Sequence, residues 1–198
     1  KTNFIPVDSE HFSIWYGLNN NESSSLDKVY LTASGGPFAN LPLKDFKQIK
    51  LKQALNHPNW KMGKKISIDS ATMINKIYEV IEAKNIFNIN YKNIKILLHP
   101  SSYVHAILKF KNGLIKLIAH DTTMKIPIFN TLYFRKCKEI ISKELNVNTL
   151  NDLKFNKPNV KRYPMIKLLK FLPTKNSLYE TVIVSANDCL VELFLKKK

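Results

Sequence analysis

The 198-residue sequence is poor in cysteine, glycine and acidic side chains, and it contains no long apolar run. Its two cysteines, Cys137 and Cys189, lie far apart and form no CxxC pair, so neither a thiolate zinc site nor a disulfide framework is indicated. No apolar stretch approaches the roughly 20 residues that span a bilayer, and none follows a basic start as in a signal peptide. We therefore expect packed thiols, a reducing compartment and no membrane partner.

The net charge is strongly positive, because 31 Lys and Arg residues face 15 Asp and Glu residues, a formal charge of +16. Such an excess often marks a nucleic-acid-binding protein. The lysines are, however, spread along a chain rich in Asn and Ile, a bias that an AT-rich genome produces without selection for binding. We favour a solvated lysine surface with no nucleic-acid partner, and keep a basic nucleic-acid-binding domain as an alternative. The positive field would also attract a phosphorylated substrate.

Short apolar segments bounded by polar or turn residues predict strands. They are residues 4–7, 29–32, 94–98, 105–111 and 114–120. The last two flank Asn112 and Gly113, a strong turn signal, and therefore predict a hairpin. Apolar residues at helical spacing predict helices over residues 70–87, 163–172 and 177–195.

This mixture predicts an α/β fold, with a mixed sheet and helices in residues 1–134, a linker at 135–160 and the beginning of an α-helical bundle at 161–198. The chain starts at Lys1 without a Met and runs directly into an apolar segment. Its last two helices are too few to enclose a core. We therefore expect a partial chain that belongs to a larger protein.

Two carboxylates, Asp8 and Glu10, follow the predicted strand at residues 4–7. A spacing of two aims both side chains the same way, and strand ends are where open α/β sheets bind ligands. A hard divalent cation such as Mg²⁺ or Mn²⁺ would offset their repulsion. A solvated strand end is the alternative.

The predicted helix at residues 70–87 carries a polar face opposite its apolar stripe. Asn75, Glu79 and Glu82 lie on that face with Lys76 at its edge, which suits either a ligand site or an ordinary solvated surface. Ser70 stands where it could cap the helix start, and free amides there would bind an anion. A serine that only caps is the alternative.

The loop at Ser34, Gly35 and Gly36 could present amides and a hydroxyl to a phosphate, or form a plain tight turn. His57 lies in an exposed loop at residues 57–65, and His99 and His105 flank a Pro-Ser-Ser turn. Each histidine could face a pocket or serve only the structure.

Four segments together resemble one family, the 1-deoxy-D-xylulose 5-phosphate reductoisomerases. They are IPVDSEH (residues 5–11), LTASGGPF (31–38), HPNWKMGKKISIDSATMINKIYEVIEA (57–83) and HPSSYVHAI (99–107). The resemblance returns weakly at Arg162, Tyr163 and Pro164 and at residues 185–187. The family's NADPH-binding domain and the remainder of its helical bundle have no counterpart in the sequence.

The resemblance implies a role for each matching residue. Asp8, Glu10 and Glu79 are the implied metal ligands, and Asp8, Glu10 and Lys76 the implied catalytic groups. The implied substrate-binding residues are Ser9, Ser34, His57, Trp60, Met62, Ser70, Asn75, Lys76 and His105. Among them, Ser34, His57, Ser70 and Asn75 match phosphate-binding positions, while Trp60 and Met62 match a mobile lid.

The implied reaction is the metal-dependent isomerisation and NADPH-dependent reduction of 1-deoxy-D-xylulose 5-phosphate to 2-C-methyl-D-erythritol 4-phosphate, in the non-mevalonate isoprenoid pathway. Without the cofactor domain, this chain alone would not complete the hydride transfer. The resemblance also implies a homodimer, phosphonate-hydroxamate inhibitors and, together with the composition, an apicomplexan plastid. A non-catalytic module that binds metal and phosphate is the alternative.

Overall fold

The computed structural model describes residues 4–18, 25–134, 136, 138–175 and 177–196, which form a mixed sheet with helices packed on it. The helices and strands, in chain order, are α1 (Ser9–Leu18), β1 (Leu26–Ala33), α2 (Leu51–Ala54), α3 (Lys64–Thr72), α4 (Ile74–Phe87), β2 (Ile94–Leu98), β3 (Val104–Phe110), β4 (Ile115–Ala119), α5 (Lys125–Leu132), α6 (Val147–Asn151) and α7 (Tyr179–Leu195). Short 3-10 helices cover Leu43–Gln48, Tyr91–Asn93 and Pro164–Lys170. The predicted α/β class is confirmed.

The sheet has the strand order β2-β1-β3-β4, with β1 and β2 parallel and the remaining pairs antiparallel. Three sequence predictions are confirmed here: the strands β1 and β2 and the β3–β4 hairpin. In the parallel pair, Ala33 lies opposite Leu98, so the loops that follow β1 and β2 leave the same edge of the sheet. Parallel pairing thus brings residues that are distant in sequence to one place.

The core lies between α4 and the sheet. Ile74 and Ile77 of α4 are fully buried, as are Val29, Leu31 and Leu108 of the central strands. Burying each such side chain stabilises the fold by about 1.5–3 kcal/mol. This packing fixes α4, and therefore its polar residues, relative to the sheet.

The strand predicted at residues 4–7 is wrong. These residues have no strand partner in the described part of the chain, and the side chain of Phe4 is 70% exposed. Pro6 has no N–H group to donate to a ladder. The helix α1 starts directly afterwards, with the amide of Phe12 donating to the carbonyl of Asp8 at 2.7 Å. Asp8 and Glu10 therefore lie at a helix N-terminus, where negative charge is favourable.

The single helix predicted at residues 70–87 is two helices, α3 and α4, separated by Met73. Met73 has a left-handed backbone (φ 69°) and is buried, so the chain changes direction without a glycine or a proline. Ser70 lies in the last turn of α3 rather than at a helix start, and its predicted role as an N-cap is wrong. The apolar spacing missed the break because buried residues continue on both sides of it.

The C-terminal residues also pack on the core, because Leu172 and Ile183 belong to the same buried cluster as α4. The helix α7 confirms the prediction at residues 177–195, whereas the α-helix predicted at 163–172 is a 3-10 helix, Pro164–Lys170. Cys189 is exposed, so its prediction as a packed thiol is wrong. Cys137 lies outside the described residues. The division at residues 134 and 160 stays a prediction.

No helix in the described residues is both long and apolar enough to span a bilayer.

Candidate metal centre and anion pocket

Three carboxylates converge at the N-terminal end of α1. Asp8, Glu10 and Glu79 each offer one oxygen, and these oxygens lie within 4.8 Å of one another. Asp8 precedes α1, Glu10 lies in its first turn, and Glu79 projects from α4 and is buried. The structure therefore brings together the three residues that the sequence offered as metal ligands, although from a helix start and not from a strand end.

Lys76 lies at the centre of this carboxylate cluster. Its Nζ donates to Glu10 Oε1 and to Glu79 Oε2, each at 2.6 Å, while Asn75 Nδ2 donates to Glu79 Oε1 at 2.6 Å. Ser9 Oγ donates to Glu10 Oε2. Lys76 and Glu79 are both buried, so the alternative of a solvated helix face is wrong for them.

The charges within the cluster do not balance. Burial raises the pKa of Glu79, the nearby charge of Glu10 raises it further, and the ammonium of Lys76 does not compensate. Burial also raises the pKa of Glu10, but Lys76, together with His105 and Ser9, outweighs it and lowers that pKa to about 2. Burial lowers the pKa of Lys76, and the two glutamates more than reverse this. Glu10 and Glu79 thus share one ammonium, and Asp8 adds a third carboxylate beside them, which leaves negative charge for a cation to neutralise.

This donor set fits a hard divalent metal ion. All three groups supply carboxylate oxygens, the ligands that Mg²⁺ and Mn²⁺ prefer, and no thiolate or imidazole stands among them. Asp8 is half-exposed, which leaves one side of the cluster open to the cavity described below. Asp8, Glu10 and Glu79 would therefore hold the ion between α1 and α4.

His11, to which the sequence analysis assigned no role, contacts two members of the carboxylate cluster, Asp8 and Glu79. Its Nε2 bonds to the main-chain oxygen of Glu79 at 3.0 Å, and its Nδ1 lies 3.0 Å from Asp8 Oδ2. Burial lowers the pKa of His11, but the hydrogen bond to Asp8 and the charge of Asp8, together with smaller contributions from Glu79 and Glu82, more than offset this. Glu82 reaches only to 3.7 Å from His11 and is half-exposed. The spacing of Asp8 and His11, three residues apart on one helix face, was the signal available in the sequence.

A cavity of about 340 Å³ opens beside the cluster. It is lined by every residue that the sequence offered for the substrate: Ser9, Ser34, His57, Trp60, Met62, Ser70, Asn75, Lys76 and His105. Lining residues that the sequence analysis did not single out include Lys61, Met73, Ser102 and Met124. One cavity therefore joins the carboxylate cluster to the predicted phosphate-binding residues.

Ser34 and His57 form a donor site for an anion in this cavity. His57 Nδ1 accepts from the amides of Asn59 and Trp60, which leaves the proton of a neutral ring on Nε2. Burial lowers the pKa of His57 and so favours the neutral ring. Nε2 lies 3.1 Å from Ser34 Oγ, which also accepts from the amide of Gly36 at 3.0 Å. The hydroxyl hydrogen of Ser34 then remains for a ligand.

Gly36 brings the Ser34 loop against the end of α3. Its φ is 67°, and a Cβ there would lie 3.0 Å from the carbonyl oxygen of Ser70. A side chain at this position would therefore push the loop away from Ser70. The two serines line one cavity because glycine permits this close approach.

Trp60 and Met62 lie in the loop between α2 and α3 and are half-buried against the cavity, so their predicted exposure is wrong. Trp60 packs edge-on against His105, with 6.4 Å between the ring centroids. His105 also stacks on His120 at 3.8 Å, an arrangement that the sequence analysis did not anticipate.

His99 does not face the cavity. It is buried, with its Nδ1 bonded to the carbonyl of Lys154 and its ring stacked on Phe155.

Comparisons with known proteins find one family. The family model described as "1-deoxy-D-xylulose 5-phosphate reductoisomerase C-terminal domain" matches residues 4–87, and the one described as "DXP reductoisomerase C-terminal domain" matches residues 121–198. A 1-deoxy-D-xylulose 5-phosphate reductoisomerase from Pelagibacter ubique (strain HTCC1062) is 60% identical over 198 residues, which are 100% of this chain and 51% of the relative. The chain thus spans about half the length of the curated relatives that it matches.

Solved structures of similar proteins have the same fold. The reductoisomerase from Zymomonas mobilis in complex with NADPH matches with a TM-score of 0.87 and 33% identity, covering 97% of this chain and 49% of the other. A DOX-P reductoisomerase in complex with NADPH, fosmidomycin and magnesium matches with a TM-score of 0.86 and 34% identity, covering 98% and 50%.

Proposed function

The chain belongs to the 1-deoxy-D-xylulose 5-phosphate reductoisomerase family, and on this premise we propose that it is the metal- and substrate-binding part of an enzyme that converts 1-deoxy-D-xylulose 5-phosphate to 2-C-methyl-D-erythritol 4-phosphate, a step of the non-mevalonate isoprenoid pathway. One observation carries the proposal: the carboxylate cluster and the Ser34–His57 anion site line the same cavity of about 340 Å³. One sugar phosphate could thus bind the carboxylate cluster, through its metal ion, at one end and the Ser34–His57 anion site at the other.

At the metal end, Asp8, Glu10 and Glu79 would hold Mg²⁺ or Mn²⁺. Such an ion would supply Lewis-acid polarisation of substrate oxygens. Lys76 keeps Glu10 ionised and places a second positive charge where negative charge develops as the carbon–carbon bond breaks and re-forms. Ser9 lies beside Glu10 and contacts the substrate close to the metal.

At the other end, Ser34, His57, Ser70 and Asn75 bind the phosphate, and Asn75 and Lys76 hold substrate hydroxyls. Trp60 and Met62 cover the substrate and exclude water, and His105 supports Trp60. An inhibitor with a phosphonate at one end and a hydroxamate at the other would match the same two sites. The fosmidomycin and magnesium in one similar structure support this assignment.

The hydride donor in this proposal is NADPH, bound mainly by protein outside these 198 residues. The similar structures that contain NADPH, and the half of each relative that this chain does not cover, support this division. A steady-state assay of the full-length protein with 1-deoxy-D-xylulose 5-phosphate, NADPH and Mg²⁺ tests it. Absence of substrate-dependent NADPH oxidation would instead favour a non-catalytic module that binds metal and phosphate.

Two glutamates of α4 should differ in their effect on the metal. We expect Glu79→Gln to weaken Mg²⁺ or Mn²⁺ binding by about 100-fold, since loss of a supporting group alone costs about 10–100-fold. Glu82→Gln, one helical turn further, should change it by less than about threefold, because Glu82 is half-exposed and outside the carboxylate cluster. Metal titration of both variants measures the difference. Equal losses would contradict the ligand assignment.

A basic nucleic-acid-binding domain would be retained on heparin in a salt-sensitive way, and Asp8→Ala would have little effect on it. The enzymatic proposal instead expects Asp8→Ala to remove the stabilisation of the protein by divalent metal. The homodimer and the apicomplexan plastid remain predictions, to be tested by the solution mass and by the full reading frame.

A further inference from the structure

The residues around Arg162 reach the Ser34 loop from outside the cavity. Tyr163 is fully buried, and its hydroxyl donates to the carbonyl oxygen of Gly35 at 2.9 Å. Arg162 Nη1 donates to the carbonyls of Phe38 and Leu41, each at 2.6 Å. The polypeptide just before the last 3-10 helix therefore holds the loop that carries Ser34.

A second contact of the C-terminal region reaches the end of α3. Asn187 of α7 is buried, and its Nδ2 donates to Asp69 Oδ1 at 2.8 Å. The other oxygen of Asp69 receives Lys65 at 2.7 Å, and Lys65 also reaches Asp188 at 3.0 Å. The side chain of Asp69 is thus bonded on both oxygens, and Ser70 is the next residue in the chain.

The Tyr163–Gly35 and Asn187–Asp69 contacts both lie next to a serine of the cavity. Gly35 follows Ser34 directly and Asp69 precedes Ser70 directly, so each contact lies one residue from a serine of the cavity. Neither Tyr163 nor Asn187 lines the cavity itself. Both contacts are buried, and a buried carbonyl or carboxylate that loses its partner is costly.

We propose that Tyr163 and Asn187 are positioning residues that fix the Ser34 and Ser70 hydroxyls relative to each other for the phosphate of the substrate. The inference rests on the proposed function of the two serines. Gly35 and Gly36 have φ values of 91° and 67°, so the Ser34 loop has more backbone freedom than its neighbours. The Tyr163 hydroxyl removes that freedom from one side, and Asn187 holds the end of α3 against which the loop packs. Displacement of a binding group by about 1 Å is enough to weaken binding strongly.

The test compares four variants of the full-length enzyme. We expect Tyr163→Phe and Asn187→Leu, which keep side-chain volume, each to raise the KM for the phosphorylated substrate about fivefold, the effect of one buried hydrogen bond. The competitive inhibition constant of inorganic phosphate should rise in proportion. At saturating substrate, kcat should stay within about twofold, and the Mg²⁺ concentration for half-maximal activity should not move.

Tyr91→Phe is the matched control, and Ser34→Ala reports on the serine site itself. Tyr91 also joins α7 to the rest of the protein, through Glu180 at 3.3 Å, but outside the cavity. It should leave KM unchanged. A purely structural role for Tyr163 and Asn187 would lower kcat through loss of folded enzyme at unchanged KM, and that result overturns the inference. An unchanged KM in Ser34→Ala would instead overturn the proposed phosphate site.

Discussion

Lys76→Met is expected to destabilise the metal-free protein by about 3–5 kcal/mol and to abolish activity. The substitution leaves Glu10 and Glu79 buried without the ammonium that bonds to both at 2.6 Å, and breaking a buried ion pair from one side has this cost. Urea denaturation at neutral pH measures the stability. Added Mg²⁺ should restore more stability to the variant than to the unmodified protein, because the ion replaces the missing positive charge.

Lys95→Met provides the control for that experiment. Lys95 lies on β2 with its side chain exposed, so its loss should change stability by no more than about 0.5 kcal/mol. If Lys76→Met unfolded at the same urea concentration as Lys95→Met, Lys76 would not be neutralising the cluster. The catalytic role assigned to it would then fail as well.

Asp8→Ala is expected to remove nearly all stabilisation of the protein by divalent metal. A ligand present at 100 times its dissociation constant stabilises a protein by about 2.7 kcal/mol. If the variant binds about 100-fold more weakly, the same concentration stabilises it by only about 0.4 kcal/mol. Thermal unfolding with and without Mg²⁺ or Mn²⁺ measures this difference.

Asp152→Ala is the matched change for Asp8. Asp152 is an exposed carboxylate that pairs only with Lys154 in the described residues, and it lies outside the carboxylate cluster. It should retain the full metal effect. Equal metal stabilisation of Asp8→Ala and Asp152→Ala would show that the ion binds elsewhere. The proposed function would then have no metal site at Asp8, Glu10 and Glu79.

Local sequence patterns predicted much of the sheet. The strands β1 and β2 and the hairpin at Asn112 and Gly113 follow from short apolar runs and turn residues, which act over a few positions. The same reasoning failed at residues 4–7, where an apolar run with Pro6 leads into α1 without forming a strand. It failed again at Met73, where buried residues continue through the break between α3 and α4. Apolar spacing reports burial and does not report a change of chain direction.

The sequence named a group of site residues that the structure brings together around one cavity, but partly for reasons that the structure replaces. Asp8 and Glu10 were assigned from a strand that does not exist, and Ser70 from a helix start that lies four residues later. The named residues still lie around one cavity, because motif resemblance identifies residues independently of the local structure around them. His11, His120 and the contacts of Tyr163 and Asn187 carried no motif signal strong enough to assign a role.

By itself, the sequence determined the α/β class, the strands β1 to β4 and many of the side chains that line the cavity, since these depend on residue type and on neighbours along the chain. Only the tertiary structure decided how Lys76 is shared between Glu10 and Glu79, and how Tyr163 and Asn187 of α7 bond to Gly35 and Asp69, next to the two serines. The Lys76–Glu10, Tyr163–Gly35 and Asn187–Asp69 contacts join residues 66 or more positions apart. They exist because α4 and the C-terminal segment pack on the same core and bring distant segments within hydrogen-bonding distance, which no local pattern encodes.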